Sequence, residues 1–274
     1  MTHDFICPLC GAAFERKEKN LRCSHGHSFD LARQGYVNLL PGGRLPGHEH
    51  GDNRAMIRAR RDFLCAGYYR PLSDAVNAVF AEITPPGGCI LDCGCGEGYY
   101  SAALAESLAA KGVDVLATDI SRDAVSYAAR RGGIRCAVAN SFRLPLPDGA
   151  CDAILSLCTP VAKAEFARVL CPGGYLVAVF PAQRHLWALK SAVYNAPYEN
   201  VPAFDISPYF EIVRQDTVCF ALHISGAAGI QSLFSMTPYA YHTGPAERAR
   251  LEALEQLDDE ASFILSLCRC TTQA

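Results

Sequence analysis

The sequence predicts an α/β fold: a parallel β-sheet covered on both faces by helices, with a small metal-clamped module ahead of it. Three observations carry that reading. From Cys89 onward, short apolar runs alternate with helical stretches, the pattern of repeated β–α units that bury a parallel sheet. The first run ends in a glycine-dense turn, Asp92-Cys93-Gly94-Cys95-Gly96-Glu97-Gly98, and an Ala- and Leu-rich helical pattern follows. Near the start, Cys7 with Cys10 and Cys23 with His27 form two close pairs, twelve residues apart.

Composition sets the class. Half of the 274 residues are hydrophobic and 19% are charged, which suits a globular chain rather than a disordered one. No apolar run reaches the ~20 residues that cross a bilayer, so no membrane partner is expected. Met1-Thr2-His3-Asp4 lacks the basic-then-apolar layout of a signal peptide, and the expected location is cytoplasmic. The 14 cysteines are therefore read as thiols rather than a disulfide framework. Cys65, Cys89, Cys93, Cys136, Cys151, Cys158, Cys171 and Cys219 sit in apolar surroundings and are expected as small buried hydrophobes. Charge is uneven: residues 1–70 hold 11 Lys and Arg against 7 Asp and Glu, and the remainder holds 14 against 21. A basic front on an acidic body hints at a polyanionic partner.

The module comes first in the chain. Cys7, Cys10, Cys23 and His27 suit a closed tetrahedral structural zinc site, with His25 the competitor for the fourth position. About 30 residues bury too little surface to fold unaided, so Zn2+ would supply the missing stability. Arg16, Lys17, Lys19 and Arg22 lie between the pairs, either as an ordinary solvated hairpin or as phosphate contacts. Residues 28–40 complete the module, giving a zinc-binding unit over 1–40. The Gly- and Pro-rich 41–53 reads as a linker in which His48 and His50 are solvated, and 54–274 forms the second domain.

That domain opens with helices over Arg54–Ala66, charged through Arg54, Arg58, Arg60 and Arg61, and over Ser73–Ile83. Both are placed over the mouth of the pocket that the glycine turn implies. A strand at 89–93, the turn and a helix from Tyr99 to Lys111 form the entry to a nucleotide-type site. The strand at 113–119 ends in Asp119, 21 residues past Gly98, where a carboxylate accepts ribose hydroxyls. Ser121 caps a helix over 122–131, and a strand at 134–138 leads to Asn140 and Ser141, a turn able to face an adenine ring. A strand at 152–157 runs into Thr159-Pro160 and a helix over 161–170. Pro172-Gly173-Gly174 separates this from a strand at 175–180. A helix over 184–194, a strand at 212–222, a helix over 245–257 and a strand at 262–270, containing Cys268 and Cys270, close the chain.

The glycine turn, with Asp92 two residues ahead of Gly94, resembles motif I of the class I (Rossmann-like) S-adenosyl-L-methionine-dependent methyltransferases. Nearly end to end, the chain resembles the RlmA family of 23S ribosomal RNA guanine-N1 methyltransferases, which includes a macrolide-resistance branch. The likeness rests on the zinc knuckle and on Gly35-Tyr36-Val37-Asn38-Leu39-Leu40-Pro41 and Arg60-Arg61-Asp62-Phe63-Leu64. It continues through Gly94 to Tyr100, Arg143-Leu144-Pro145, Pro172-Gly173-Gly174, Arg184-His185-Leu186 and Met236-Thr237-Pro238. It implies zinc on the four N-terminal ligands and S-adenosyl-L-methionine (SAM) against Tyr69, Gly98, Tyr99 and His185, with Tyr68 left as an alternative to Tyr69. The general motif I pattern adds Asp92, Gly94, Gly96, Glu97 and Asp119. The implied partner is 23S rRNA, held by the basic hairpin and by Arg54, Arg58 and Arg61, with a homodimer as the implied assembly.

The residues alone leave two other readings: a methyltransferase of small, quinone-type molecules whose zinc module is structural, or a non-catalytic nucleic-acid-binding zinc protein. The acceptor of the guanine N1 proton is not identifiable from sequence.

Overall fold

The computed structural model describes residues 4–42, 53–201 and 204–272. Most of the predicted linker, with His48 and His50, lies outside them. A three-stranded antiparallel sheet, β1 (Phe14–Arg16), β2 (Asn20–Cys23) and β3 (Ser28–Asp30), forms the N-terminal ribbon. The short β4 (Val37–Asn38) does not stay with it. Its residues pair in parallel with Ala137 and Val138 and form the edge strand of the large sheet. Residues 28–40, expected to complete the module, thus contribute a strand to the large sheet, while Val37 also bridges back to Leu31 beside the ribbon. Val37 and Leu39 are apolar and buried, and the large sheet offers them more apolar surface than a ribbon can.

Two helices follow, α1 (Arg54–Cys65) and α2 (Arg70–Ile83). Asn53 caps α1, its Oδ1 accepting from the amides of Ala55 and Met56 at 3.0 Å. Then come β5 (Cys89–Cys93), α3 (Tyr99–Ser107), β6 (Asp114–Asp119), α4 (Arg122–Ala128), β7 (Arg135–Val138), β8 (Cys151–Leu157), α5 (Lys163–Val169), β9 (Leu170–Pro181) and α6 (Trp187–Val193). The C-terminal part adds β10 (Phe210–Ser225), α7 (Ala227–Ser235), α8 (Tyr239–His242), α9 (Pro245–Glu252) and β11 (Gln256–Cys270).

The large sheet runs β10-β11-β9-β8-β5-β6-β7-β4, parallel except where β11 pairs antiparallel with β9 and β10. Because β5 is central, all five of its residues are buried, and alternation sends them to opposite faces. Ile90 belongs to the buried cluster that includes Leu72, Phe80 and Leu104 from α2 and α3, while Leu91 belongs to the one that includes Phe166 of α5 and Phe5 and Leu21 from the N-terminal segment. The ribbon is thus fastened to the body by a shared core and by the bond from the Ile6 amide to the Pro145 carbonyl (2.9 Å). No helix among the described residues is long and apolar enough to cross a membrane.

Several expected boundaries shift. The helix expected at 99–111 ends at Ser107 and continues as a 3-10 turn over Ala109–Lys111, and the one at 184–194 shortens to α6. Pro172-Gly173-Gly174 does not precede β9 but lies inside it, at a register irregularity opposite Cys151–Ala153. Helices α7 and α8 had no counterpart in the sequence reading, although Ile230, Leu233 and Phe234 carry helical spacing and are buried. The cysteines divide. Cys89, Cys93, Cys136 and Cys151 are buried as expected, whereas Cys65, Cys158 and Cys219 are exposed and Cys171 is half-buried. The exposed three lie at element ends or on the outer strand β10, where an apolar sequence neighbourhood does not guarantee cover.

Candidate active site and metal centre

At the ribbon, the ligand atoms of Cys7, Cys10, Cys23 and His27 all lie within 4.8 Å of one another. Cys10 and Cys23 sulfurs are 3.7 Å apart, and His27 Nδ1 is 3.5 Å from Cys7 Sγ and 3.3 Å from Cys23 Sγ. Bonds of ~2.3 Å to sulfur and ~2.0 Å to nitrogen put tetrahedral ligands about 3.5–3.8 Å apart, so these atoms fit one Zn2+. Nδ1 is the ring nitrogen nearest the thiols, so His27 rather than His25 fits the fourth position.

The carboxyl ends of β5, β6 and β8 open into a cavity of about 1190 Å³. This is where an α/β sheet binds nucleotides, at the point where strand order reverses. Tyr69, Asp92, Gly94, Gly96, Glu97, Tyr99, Asp119, Asn140, Ser141 and His185 all line it. Gly98 does not line it. It sits at φ +82°, and a Cβ there would stand 2.8 Å from the Ala128 backbone, so its role is to let α3 pack on α4. Gly94, at φ +85°, lies under Thr159, whose methyl would be 2.3 Å from an added Cβ.

Asp119 fixes the turn as well as facing the cavity. Its Oδ2 accepts from the Gly96 amide (2.9 Å) and its Oδ1 from the Ser121 amide (2.8 Å). Glu97 is 2% exposed; its Oε2 pairs with Arg131, while Oε1 is buried with no hydrogen-bond partner among the described residues. Glu97 therefore serves the turn from beneath, its carboxylate and its carbonyl both tied to Arg131. The glycine turn at Gly94 and Gly96 and the cavity-lining Asp119 carboxylate together fit SAM.

Tyr69, rather than Tyr68, reaches the cavity, because Tyr68 stacks on Phe63 (ring centroids 4.7 Å apart). The Ser262 amide donates to His185 Nδ1 (3.1 Å), so the imidazole proton sits on Nε2, 3.4 Å from the Tyr69 hydroxyl oxygen. Donation from Nε2 leaves the tyrosine proton free to point into the cavity. Burial pulls the His185 pKa down to about 4, so the ring is neutral near pH 7, and its one lone pair is already occupied. His185 positions; it does not take protons.

Burial pushes Asp92 up to about 7, against the bond it accepts from Ser101 Oγ. The sign follows from linkage: an acid whose folded pKa exceeds its unfolded 3.8 adds stability below that value and loses it as pH rises toward 7. The apo-protein is therefore expected to lose on the order of a few kcal/mol between pH 4 and 8. In Asp92→Asn this slope flattens; thermal melts across that range with a slope equal to wild type would refute the assignment.

The candidate RNA contacts are exposed but stand on separate elements. Arg16, Lys17, Lys19 and Arg22 occupy the β1–β2 hairpin, and Arg54, Arg58 and Arg61 lie on α1. Arg54 pairs with Asp123 (3.0 Å) and Arg61 stacks over Tyr127. Sequence reasoning counted Arg60 only as helix charge, but it lines the cavity, and it missed Arg131, Lys190 and Asn200. An Arg in the run Arg60-Arg61 gave no signal of which residue faces inward until the α1 register was known.

Residues 5–44 match the family described as RlmA, N-terminal, and residues 90–174 match a methyltransferase domain. Over 252 residues the chain is 35% identical to the 23S rRNA (guanine(748)-N(1))-methyltransferase of Streptomyces fradiae, covering 89% of this chain and 88% of that protein. The chain belongs to the RlmA family. A Micromonospora griseorubida relative, provisionally named a 23S rRNA (guanine-N(1)-)-methyltransferase, is 36% identical over 278 residues and 91% of each chain. Among solved structures, a geranyl diphosphate C-methyltransferase from Streptomyces coelicolor A3(2) aligns with a TM-score of 0.46 at 15% identity, covering 82% of this chain and 92% of that one. In this RlmA-family chain the cofactors are SAM, in the cavity of the sheet, and structural zinc, in the ribbon.

Proposed function

We propose that this RlmA-family protein methylates N1 of a guanine in a hairpin loop of 23S rRNA. The observation that carries the reading is the joining, in one chain, of a cavity at the carboxyl ends of the sheet, lined by the glycine turn and Asp119, and a basic Cys3His ribbon whose core is continuous with that sheet. A methyltransferase of small molecules has no use for a fastened basic ribbon, and a non-catalytic RNA-binding protein has none for the cradle at Gly94 and Asp119.

When bound, SAM would supply an electrophilic sulfonium methyl group, and its transfer to N1 would leave the carbon–sulfur electron pair on sulfur. The residues align and exclude. Asp119 would hold the nucleoside end, on a turn braced by the Glu97–Arg131 pair, while Tyr69, oriented by His185, would offer a donor to the methionine end. Thr159 holds the turn after β8, its hydroxyl 2.9 Å from Ser156 Oγ and donating to the Cys93 carbonyl (3.2 Å). Cys158, at φ +55°, makes the bend that sets Thr159-Pro160 against the cavity. N1 must give up its proton before or during attack. A base in a loop reaches such a cavity by leaving its stack, at lower cost than one in a helix. The hairpin and α1 arginines hold phosphates and set register.

The protein is placed in the cytoplasm and read as a homodimer; a monomeric mass in solution would refute the dimer. The deciding experiment is transfer of labelled methyl from SAM to 23S rRNA transcripts, followed by primer extension. A stop at one guanine supports the proposal, and transfer to a small quinone with none to RNA overturns it.

A further inference from the structure

The wall of the cavity also includes Phe180, Tyr194, Tyr198, Asn200 and Tyr239. Phe180 belongs to β9, which β8 and β5 separate from β6 and its Asp119, so these residues stand away from the ribose-binding carboxylate. Behind the wall stands Lys190 of α6, with no solvent exposure. Its ammonium donates to the Tyr198 carbonyl oxygen (2.5 Å) and to Asn200 Oδ1 (2.9 Å), and lies 4.0 Å from the Tyr198 ring centroid. All three partners are neutral. A buried ammonium without a carboxylate is expensive to fold around, and here it holds one side chain in one orientation.

That orientation is forced by the chemistry of the neighbours. An ammonium only donates, so Oδ1 of Asn200 must face it. The Ala182 carbonyl only accepts, so Nδ2 must face that, at 2.8 Å. The Asn200 backbone amide donates to the Gln183 carbonyl (2.8 Å), fixing the main chain as well. Nδ2 carries a second hydrogen, and Asn200 lines the cavity. Polarised through its oxygen by the ammonium, the amide is a strengthened donor.

We propose that Asn200 Nδ2 donates to O6 of the target guanine, with Lys190 as the positioning residue that keeps the amide turned to donate and Tyr198 offering a ring face to the base. This rests on the guanine-N1 reading above. O6 is adjacent to N1, so the contact presents N1 to the methyl group. It also strengthens as N1 loses its proton and charge gathers on O6. Adenine carries an amino group there, which sets donor against donor and is rejected.

The test uses full-length, zinc-loaded protein and two transcripts of the mapped loop, one with guanosine and one with 6-thioguanosine at the target. Sulfur is a weak acceptor, so wild type should lose about 10- to 100-fold in kcat/KM on the thio transcript. N200D keeps an oxygen for Lys190 but removes the donor. It should bind SAM within about threefold of wild type by calorimetry, lose a similar factor on guanosine, and lose little more on 6-thioguanosine. K190M should likewise shrink the thio penalty; if it fails to bind SAM, N200D decides alone. Wild-type activity of N200D on guanosine, or an undiminished thio penalty in N200D, overturns the assignment. Should wild type methylate no guanine N1 at all, the function proposed above falls and this assignment falls with it.

Discussion

Cys10→Ala is expected to abolish methylation of 23S rRNA, by about 100-fold or more, while SAM affinity stays within a few-fold of wild type. The ribbon is three strands of three or four residues, with Leu21 its one wholly buried strand residue apart from the ligand Cys23. So little apolar cover cannot hold a fold, and binding free energies on the order of 10 kcal/mol for structural Zn2+ are what such modules fold on. Removing one thiolate leaves three ligands and an unbuttressed hairpin, with Arg16, Lys17, Lys19 and Arg22 no longer held in place. The glycine cradle and Asp119 belong to a different part of the sheet and keep their bonds. Zinc content by mass spectrometry, SAM binding by calorimetry and methyl transfer to the transcript separate the effects. Retained zinc, or full activity without it, would contradict the role given to the ribbon.

Gly94→Ala is expected to act in the opposite way, removing SAM binding while leaving zinc in place. Two costs add. The residue is at φ +85°, where an L side chain costs about 1–2 kcal/mol. The new methyl would stand 2.3 Å from Thr159 Cγ2 and 3.0 Å from its Cβ, a β-branched side chain tied through its hydroxyl to Ser156 and Cys93. Thr159 cannot turn away without losing those bonds, so the turn after β8 moves with it. A drop in SAM affinity of about 100-fold and a melting temperature lower by several degrees are expected. Unchanged SAM affinity in Gly94→Ala would show that the cavity is not built on this approach.

Much of this was legible beforehand, for identifiable reasons. Cys7, Cys10, Cys23 and His27 could be matched to a metal because coordination chemistry limits both ligand type and spacing. Asp92, the glycines and Asp119 could be placed because a strand, a turn and a helix leave the chain little freedom between them. Side-chain direction was not legible in the same way. Gly98 looks like its two neighbours in sequence, yet it serves helix packing against Ala128, and Glu97 spends half of its carboxylate on Arg131. Tyr68 and Tyr69 separate only once α2 and Phe63 are in place. The Lys190–Asn200 bond joins two residues ten apart whose types announce nothing. It depends on how the segment after α6 folds back, and no local pattern encodes that.

The two-residue strand Val37–Asn38 has a consequence for any attempt to divide the protein. It covers the outer edge of β7, whose amides and carbonyls would otherwise be open to another chain. A chain begun at residue 54 would lose both the basic hairpin and the guard on that edge. It should self-associate through β7 in a way that mutation of the zinc ligands alone, which leaves Val37 and Asn38 in their places, does not provoke.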